Sequence, residues 1–148
     1  MAQRLTLHAD RLFPADPGLR DIARRIFASA RDLPILSPHG HTDPAWFATN
    51  SAWQDATSLL LVPDHYLYRM LYSQGVPMES LGIPGVDGRG NGVDPREAWR
   101  LFAGHYHLFR GTPSSLWLDQ VFADVFRLEH RLSAETADAY YDHIGACL

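Results

Sequence analysis

Apolar residues recur at intervals of three and four along most of this chain, which is the spacing of one face of a helix. Four times an Asp or Thr is followed by proline, and these residues favour the cap and the first position of a helix: Asp16-Pro17, Asp43-Pro44, Asp94-Pro95 and Thr112-Pro113. Together, pattern and caps predict helices over residues 17–31, 95–109, 113–128 and 134–146.

One segment, residues 33–39 (LPILSPH), has the composition of a β-strand. A lone strand leaves backbone donors and acceptors unsatisfied, and no second strand pattern here supplies a sheet. The last residues, DHIGACL, continue a helical pattern without a C-cap. We therefore expect residues 1–148 to form a single N-terminal segment of a longer α/β protein, mostly helical with one strand.

Composition narrows the classes of function. The 148 residues are 46% hydrophobic and 20% charged, which suits one globular domain. The net charge of −4, without a basic cluster, argues against nucleic acid as a partner. No apolar run approaches the length of a membrane span, and the single cysteine cannot form an internal disulfide, so we expect a cytoplasmic protein without a membrane partner. The sequence allows a homo-oligomer and does not require one.

All thirteen positively charged residues are arginines, and the chain has no lysine. Schiff-base chemistry on a lysine of this chain is therefore excluded. A compositional bias is one explanation for the use of arginine in place of lysine. The alternative is functional: the guanidinium group of arginine matches the geometry of carboxylate ligands.

Two histidines lie one residue apart at the end of the predicted strand, in the stretch SPHGHTDPAWF (residues 37–47). On a strand, residues i and i+2 face the same side, ~6.5 Å apart, so His39 and His41 can reach one metal ion. Gly40 leaves room for a ligand. The end of a strand that turns into a helix is also where barrel enzymes carry their chemistry. The alternative is two hydrogen-bonded or solvated histidines in a tight turn, and the spacing alone does not decide between them.

A second histidine pair, His105 and His107, falls inside a predicted helix. Two helical residues are rotated by ~200°. We therefore expect the two rings to point apart, and this pair not to bind a metal.

The stretch DHYLYRML places polar residues on one side of a further helix, with Asp64 as its N-cap. Leu67, Met70 and Leu71 form its apolar side. His65 and Arg69 lie one turn apart on the other side, with Tyr66 at its border. An ordinary solvent-exposed face explains this arrangement, and a ligand-binding face is the alternative.

Several segments resemble the opening third of uronate isomerase, also called glucuronate isomerase: PILSPHGHTDP (34–44), PDHYLYRMLYSQGV (63–76), GTPSSLWLDQVFADVFRL (111–128) and SAETADAYYD (133–142). The resemblance implies the N-terminal part of a (β/α)8 barrel of the amidohydrolase superfamily. It implies an aldose–ketose isomerase that interconverts D-glucuronate with D-fructuronate and D-galacturonate with D-tagaturonate.

The resemblance also implies roles for single residues. His39 and His41 would bind a divalent metal, with zinc as the expected ion. Tyr66 and Arg69 would contact the hydroxyls or carboxylate of the sugar acid, and His65 is a weaker candidate for the same role. The remaining metal ligands and the catalytic base are expected beyond residue 148, so we expect the isolated chain to be inactive.

Two other functions remain open at this point. A metal-dependent hydrolase of the same superfamily would share the histidine pair, but it would not need the Asp-His-Tyr motif with Arg69. A non-catalytic helical module is the third alternative.

Overall fold

The structure is a computed structural model that describes residues 2–37, 39–40, 42–86 and 92–148. Its α-helices are Pro17–Ala30 (α1), Pro44–Thr49 (α2), His65–Ser73 (α3), Pro95–Gly104 (α4), Pro113–Gln120 (α5) and Ala137–Cys147 (α6). Short π-helical turns cover Thr57–Leu61 and Val121–Val125, and 3-10 turns cover Met78–Leu81 and Tyr106–Phe109. None of the helices within the described residues is long and apolar enough to cross a lipid bilayer.

The chain divides into two compact units. Residues 7–51 form the small unit, and the residues before and after them form the large unit. The prediction that residues 1–148 are a single N-terminal segment of a longer protein stays a prediction.

Helix α4 is the centre of the large unit. It packs against α6, against the π-helical turn Thr57–Leu61 and against the 3-10 turn Met78–Leu81. Trp99 and Phe102 on α4 are fully buried, and Trp99 Nε1 donates to the carbonyl oxygen of Ala137 at 3.0 Å. Because a buried indole N–H needs an acceptor, this hydrogen bond fixes the start of α6 against α4.

Aromatic rings extend this core along the large unit. Phe102 contacts Phe109 edge to face with centroids 5.8 Å apart, and Phe122 contacts Tyr140 in the same way at 4.9 Å. Tyr106 lies between these pairs, with its ring centroid 5.7 Å from that of Phe102 and 6.1 Å from that of Phe122. Such aromatic pairs add to the hydrophobic stabilisation of the core.

Ion pairs join α4 to α6 at the surface. Arg100 Nε donates to Asp138 at 2.9 Å, Arg96 reaches the same carboxylate at 3.2 Å, and Arg96 also pairs with Asp142. The hydrogen bond from Arg100 is the main cause that lowers the pKa of Asp138. Exposed ion pairs contribute little free energy, so the burial of Trp99 and its hydrogen bond to Ala137 contribute more to this contact than the ion pairs do.

The predicted helix starts are confirmed where a capped proline precedes them. Asp16 accepts a hydrogen bond from Leu19 N at 2.8 Å, and α1, α4 and α5 begin at Pro17, Pro95 and Pro113. The predicted ends of α1, α4 and α5 are too late. Helix α6 begins three residues after its predicted start at 134 and ends at Cys147, one residue after its predicted end.

The predicted helix 95–109 is interrupted after Gly104 for a local reason. His105 Nδ1 contacts the carbonyl oxygen of Leu101 at 2.8 Å, and His105 N–H donates to Phe102 instead, three residues back. The side chain thus occupies the acceptor that a continuing helix would use. The helix 113–128 likewise gives way to the π-helical turn Val121–Val125 after Gln120.

The predicted strand over residues 33–39 is wrong for this chain. Residues 33–37 and 39 are not in a strand, and Ile35 and Leu36 are 93% and 88% exposed. A strand exists only through hydrogen bonds to a neighbour, and residues 34–37 have no backbone partner in another described segment. The structure instead has one isolated bridge among the described residues, between Arg4 and His130.

The apolar face predicted for α1 is present but exposed. No residue of α1 is buried. The four large side chains of its apolar face are 46% to 64% exposed: Leu19, Ile22, Ile26 and Phe27. The pattern identified the face correctly, and Phe13 contacts Phe27 edge to face at 5.8 Å, but about half of each of the four side chains stays exposed.

We expect Trp99→Ala to destabilise the protein by ~3–5 kcal/mol, because it leaves a cavity at the centre of the core and removes the hydrogen bond to Ala137. Trp117, which is 40% exposed, is the matched control. Trp117→Ala should cost about 1 kcal/mol. Urea unfolding measures both, and equal losses would contradict the central role of Trp99.

Candidate functional site

Helix α3 carries three of the predicted site residues. Asp64 caps it, because its carboxylate accepts a hydrogen bond from Tyr66 N at 2.8 Å. The helix begins at His65, so His65 and Tyr66 occupy its first turn. Leu67 and Leu71 are fully buried on the opposite side. The cap and the two leucines together fix which way the first turn faces.

His65, Tyr66 and Arg69 lie together on the polar side of α3, as the sequence predicts. The rings of His65 and Tyr66 are in contact, with centroids 4.2 Å apart and planes inclined by 33°. Tyr66 is 62% exposed, Arg69 is exposed and His65 is half-buried. Within the described part of the chain, the guanidinium of Arg69 makes no hydrogen bond or ion pair. An available guanidinium beside a phenol and an imidazole can bind a carboxylate that carries hydroxyl groups.

The structure describes only one of the two predicted metal ligands, His39. His39 is exposed in the small unit, and its carbonyl oxygen accepts a hydrogen bond from Ser37 Oγ at 2.7 Å. His41 lies outside the described residues, so its pairing with His39 stays a prediction. A side chain at Gly40 would meet no atom within 4 Å, so space is available beside the backbone there.

The donor chemistry of this stretch suits a metal, but the described residues do not complete a site. Imidazole nitrogens are good zinc ligands, and a catalytic zinc takes three protein ligands. The residues that the structure describes contain no group of three or more His, Cys, Asp or Glu side chains that could hold a metal ion. The expected turn into a helix is present, since Asp43 caps α2 through Ala45 N at 2.8 Å.

The prediction that a helix turns His105 and His107 apart is wrong. Because α4 ends at Gly104, the two residues flank the break, and their rings stack with centroids 6.4 Å apart. Both rings are nevertheless engaged with the backbone. His107 Nδ1 contacts the carbonyl oxygen of Gly104 at 3.2 Å, as His105 Nδ1 does that of Leu101.

The large unit contains a cleft that no sequence pattern predicted. Gln3, Tyr106, Arg110, Asp119 and Arg131 are among its lining residues. Tyr106 Oη donates to Asp119 Oδ1 at 2.9 Å, and Arg131 Nη1 contacts Asp119 Oδ2 at 3.4 Å. Burial, reinforced by the charge of Asp119, raises the pKa of Tyr106. These residues are far apart in the sequence, and no short motif marks them.

Comparison with known proteins gives one consistent result. The glucuronate isomerase family matches residues 18–148. The uronate isomerase of Xanthomonas euvesicatoria pv. vesicatoria is 67% identical over 144 residues, which are 97% of this chain and 30% of that protein. The uronate isomerase of Phenylobacterium zucineum is 64% identical over 148 residues, which are 100% of this chain and 31% of that protein.

Two solved structures agree with this result. The crystal structure of glucuronate isomerase from Caulobacter crescentus matches with a TM-score of 0.94 at 57% identity, over 99% of this chain and 30% of that one. Uronate isomerase from Thermotoga maritima matches with a TM-score of 0.78 at 26% identity, over 97% of this chain and 29% of that one. The chain thus spans about 30% of the length of the relatives it matches.

We expect Asp64→Ala to lower the stability of the protein by ~1 kcal/mol, because the first turn of α3 loses its cap. Asp64→Asn should lower the stability much less, since asparagine is an equally good N-cap. Urea unfolding of both variants measures the difference. If both substitutions had the same effect, Asp64 would act through its charge and not through the cap.

Proposed function

This chain belongs to the glucuronate isomerase family, and from that premise we propose that the protein is an aldose–ketose isomerase of uronates. The reaction interconverts D-glucuronate with D-fructuronate and D-galacturonate with D-tagaturonate. The observation that carries the proposal is the family match over residues 18–148, together with 67% identity to a uronate isomerase. Because the chain spans about 30% of its relatives, the proposal concerns the whole protein.

The chemistry requires a proton to leave C2 and a proton to arrive at C1 through an enediol. A base must lie within hydrogen-bond reach, and the charge that develops on the neighbouring oxygens must be stabilised. We assign the base to the part of the relatives' length that this chain does not span.

In this proposal α3 supplies the substrate contacts. Arg69 binds the carboxylate of the sugar acid, since its guanidinium is exposed and has no described partner. Tyr66 donates to a hydroxyl of the substrate, and His65 orients the Tyr66 ring through the contact between them. These roles are supported by the cap and the buried leucines, which hold the three side chains on one side of the helix.

The proposed fold of the whole protein is a (β/α)8 barrel of the amidohydrolase type. Residues 33–39 form its first strand in this proposal. Two observations support it: Ile35 and Leu36 are exposed apolar side chains, and α2 begins just after the histidine pair. Such a strand would be buried once other strands flanked it.

His39 and His41 are the proposed ligands of a divalent metal, with zinc as the expected ion. Two nitrogens are fewer than the three protein ligands of a catalytic zinc site, so the remaining ligand lies in the part of the relatives' length that this chain does not span. A bound divalent ion would supply positive charge that orients or polarises the oxygens of the sugar.

A cytoplasmic location is proposed with the function. Cys147 is free and exposed, as suits a reducing compartment. A homo-oligomer remains an untested expectation.

The proposal is tested by assaying the full-length protein on D-glucuronate and D-galacturonate, and on amide and lactone substrates. We expect isomerisation of the uronates only. Arg69→Met should lower kcat/KM for the uronates by about 10- to 100-fold, because a charge-assisted hydrogen bond contributes ~1.5–3 kcal/mol.

A matched pair on the same helix controls for damage to the fold. Tyr66→Phe should lower kcat/KM, whereas Tyr72→Phe, on an exposed side chain of α3, should not. Hydrolysis of an amide or lactone without uronate turnover would overturn the proposed function. Unchanged kcat/KM in Arg69→Met would remove only Arg69 from the site.

The metal proposal is tested by elemental analysis of the purified full-length protein. His39→Ala and His41→Ala should each greatly reduce the metal content, since each removes a ligand. His105→Ala should not reduce it, because the Nδ1 atom of His105 already contacts Leu101. Equal metal loss in His105→Ala and His39→Ala, or a wild-type protein without bound metal, would contradict the assignment.

A further inference from the structure

The large unit contains a cleft of about 370 Å³ that includes none of the proposed substrate or metal residues. Its polar lining includes Gln3, His107, Arg110, Ser115, Asp119 and Arg131. All of these residues lie in one unit of the described structure. The volume is in the range of sites that bind small molecules.

The cleft is positively charged within an acidic protein. The whole chain has a net charge of −4, yet the charged residues that line this cleft are two arginines, Arg110 and Arg131, and a single carboxylate. That carboxylate, Asp119, is 15% exposed and is held by Tyr106 and Arg131. The Tyr106 hydroxyl is protonated at neutral pH, as tyrosines ordinarily are, and burial raises its pKa further. One positive charge is therefore left without a partner in the lining.

The two arginines have hydrogen-bonding capacity that the described residues do not use. Arg110 makes no side-chain hydrogen bond or ion pair within the described chain. Arg131 contacts Asp119 through Nη1 at 3.4 Å, while its buried Nε has no hydrogen-bond partner. If the Arg131 guanidinium shifted towards a ligand, its Nε would lose no hydrogen bond. A ligand acceptor would instead give this buried N–H the hydrogen bond that it lacks, which is energetically favourable.

We propose that this cleft binds a small hydroxylated monocarboxylate. A carboxylate matches the fork of a guanidinium and the single uncompensated charge. Ser115 donates its hydroxyl hydrogen to Thr112 at 3.0 Å, so its oxygen is left to accept from a ligand hydroxyl. The side chain of Gln3 offers both a donor and an acceptor. This inference rests on the cleft and not on the proposed isomerase activity.

The test is isothermal titration calorimetry of the full-length protein with D-gluconate, a hydroxylated monocarboxylate. The protein carries Arg69→Met, so that the proposed substrate site contributes less to the signal. Adding Arg110→Met should weaken gluconate binding at least tenfold, because one charge-assisted contact is lost. Arg25→Met is the matched control, since Arg25 is an exposed arginine of the small unit, and it should leave the affinity unchanged.

Two further ligands identify the chemistry. D-Glucitol, the neutral counterpart of gluconate, should not bind, and inorganic phosphate should bind more weakly than gluconate. Equal affinity in the Arg110→Met and Arg25→Met proteins would overturn the proposal, as would equal binding of D-glucitol or tighter binding of phosphate. Arg131→Lys, which keeps the charge and loses the fork, should also weaken gluconate binding, and its melting temperature shows whether the fold is intact.

A crystal structure of the full-length protein with D-gluconate completes the test. We expect the carboxylate beside Arg110 and Arg131. A segment of the protein's own chain that fills the cleft would overturn the proposal. None of these measurements uses uronate turnover, so they succeed or fail independently of the proposed function.

Discussion

The burial of Trp99 between α4 and α6 is the contact on which the large unit depends. An indole that is fully buried must both fill its volume and satisfy its N–H, and Ala137 O provides the only acceptor the structure gives it among the described residues. The start of α6 is thereby fixed against α4. From α4 the aromatic contacts continue through Phe102 and Tyr106, so the phenol that holds Asp119 is positioned by the same core.

The candidate substrate face on α3 is supported by α4 indirectly, through two short turns. Helix α3 packs on the π-helical turn Thr57–Leu61 and the 3-10 turn Met78–Leu81, and both turns pack on α4. Thr57 Oγ1 donates to Pro95 O at 2.6 Å and ties the π-helical turn to the first residue of α4. Leu67 and Leu71 then bury one side of α3 and leave Tyr66 and Arg69 on the other. Buried residues of the core therefore orient Tyr66 and Arg69, which are themselves exposed.

Only local features of the structure, such as helix starts and the residues that share one helix face, could be predicted from the sequence. A cap and a proline specify a helix start within four residues, so the starts at Pro17, Pro95 and Pro113 were predicted correctly. The end of α4 depends on where the imidazole of His105 finds an acceptor, and the apolar pattern carries no such information. Tyr66 and Arg69 were placed together correctly because they lie one turn apart on one helix. The cleft around Asp119 could not be predicted, since it joins residues 3, 103–119 and 131–133 through tertiary packing.

The small unit differs from the large one in a way that bears on the proposed site. The large unit contains the aromatic core, whereas α1 has no buried residue and the apolar side chains of Ile35 and Leu36 are exposed. Exposed apolar surface of this extent marks an interaction surface, and this chain spans about 30% of the length of its relatives. In the large unit, by contrast, Tyr66 and Arg69 lie on a helix whose other side is buried through Leu67 and Leu71. His39 follows residues 34–37, which have no backbone hydrogen bond to another described segment. In the proposed barrel, the geometry of His39 would therefore depend on the strands that flank this segment. In the proposed enzyme, the substrate contacts on α3 would be preorganised before the metal ligands are.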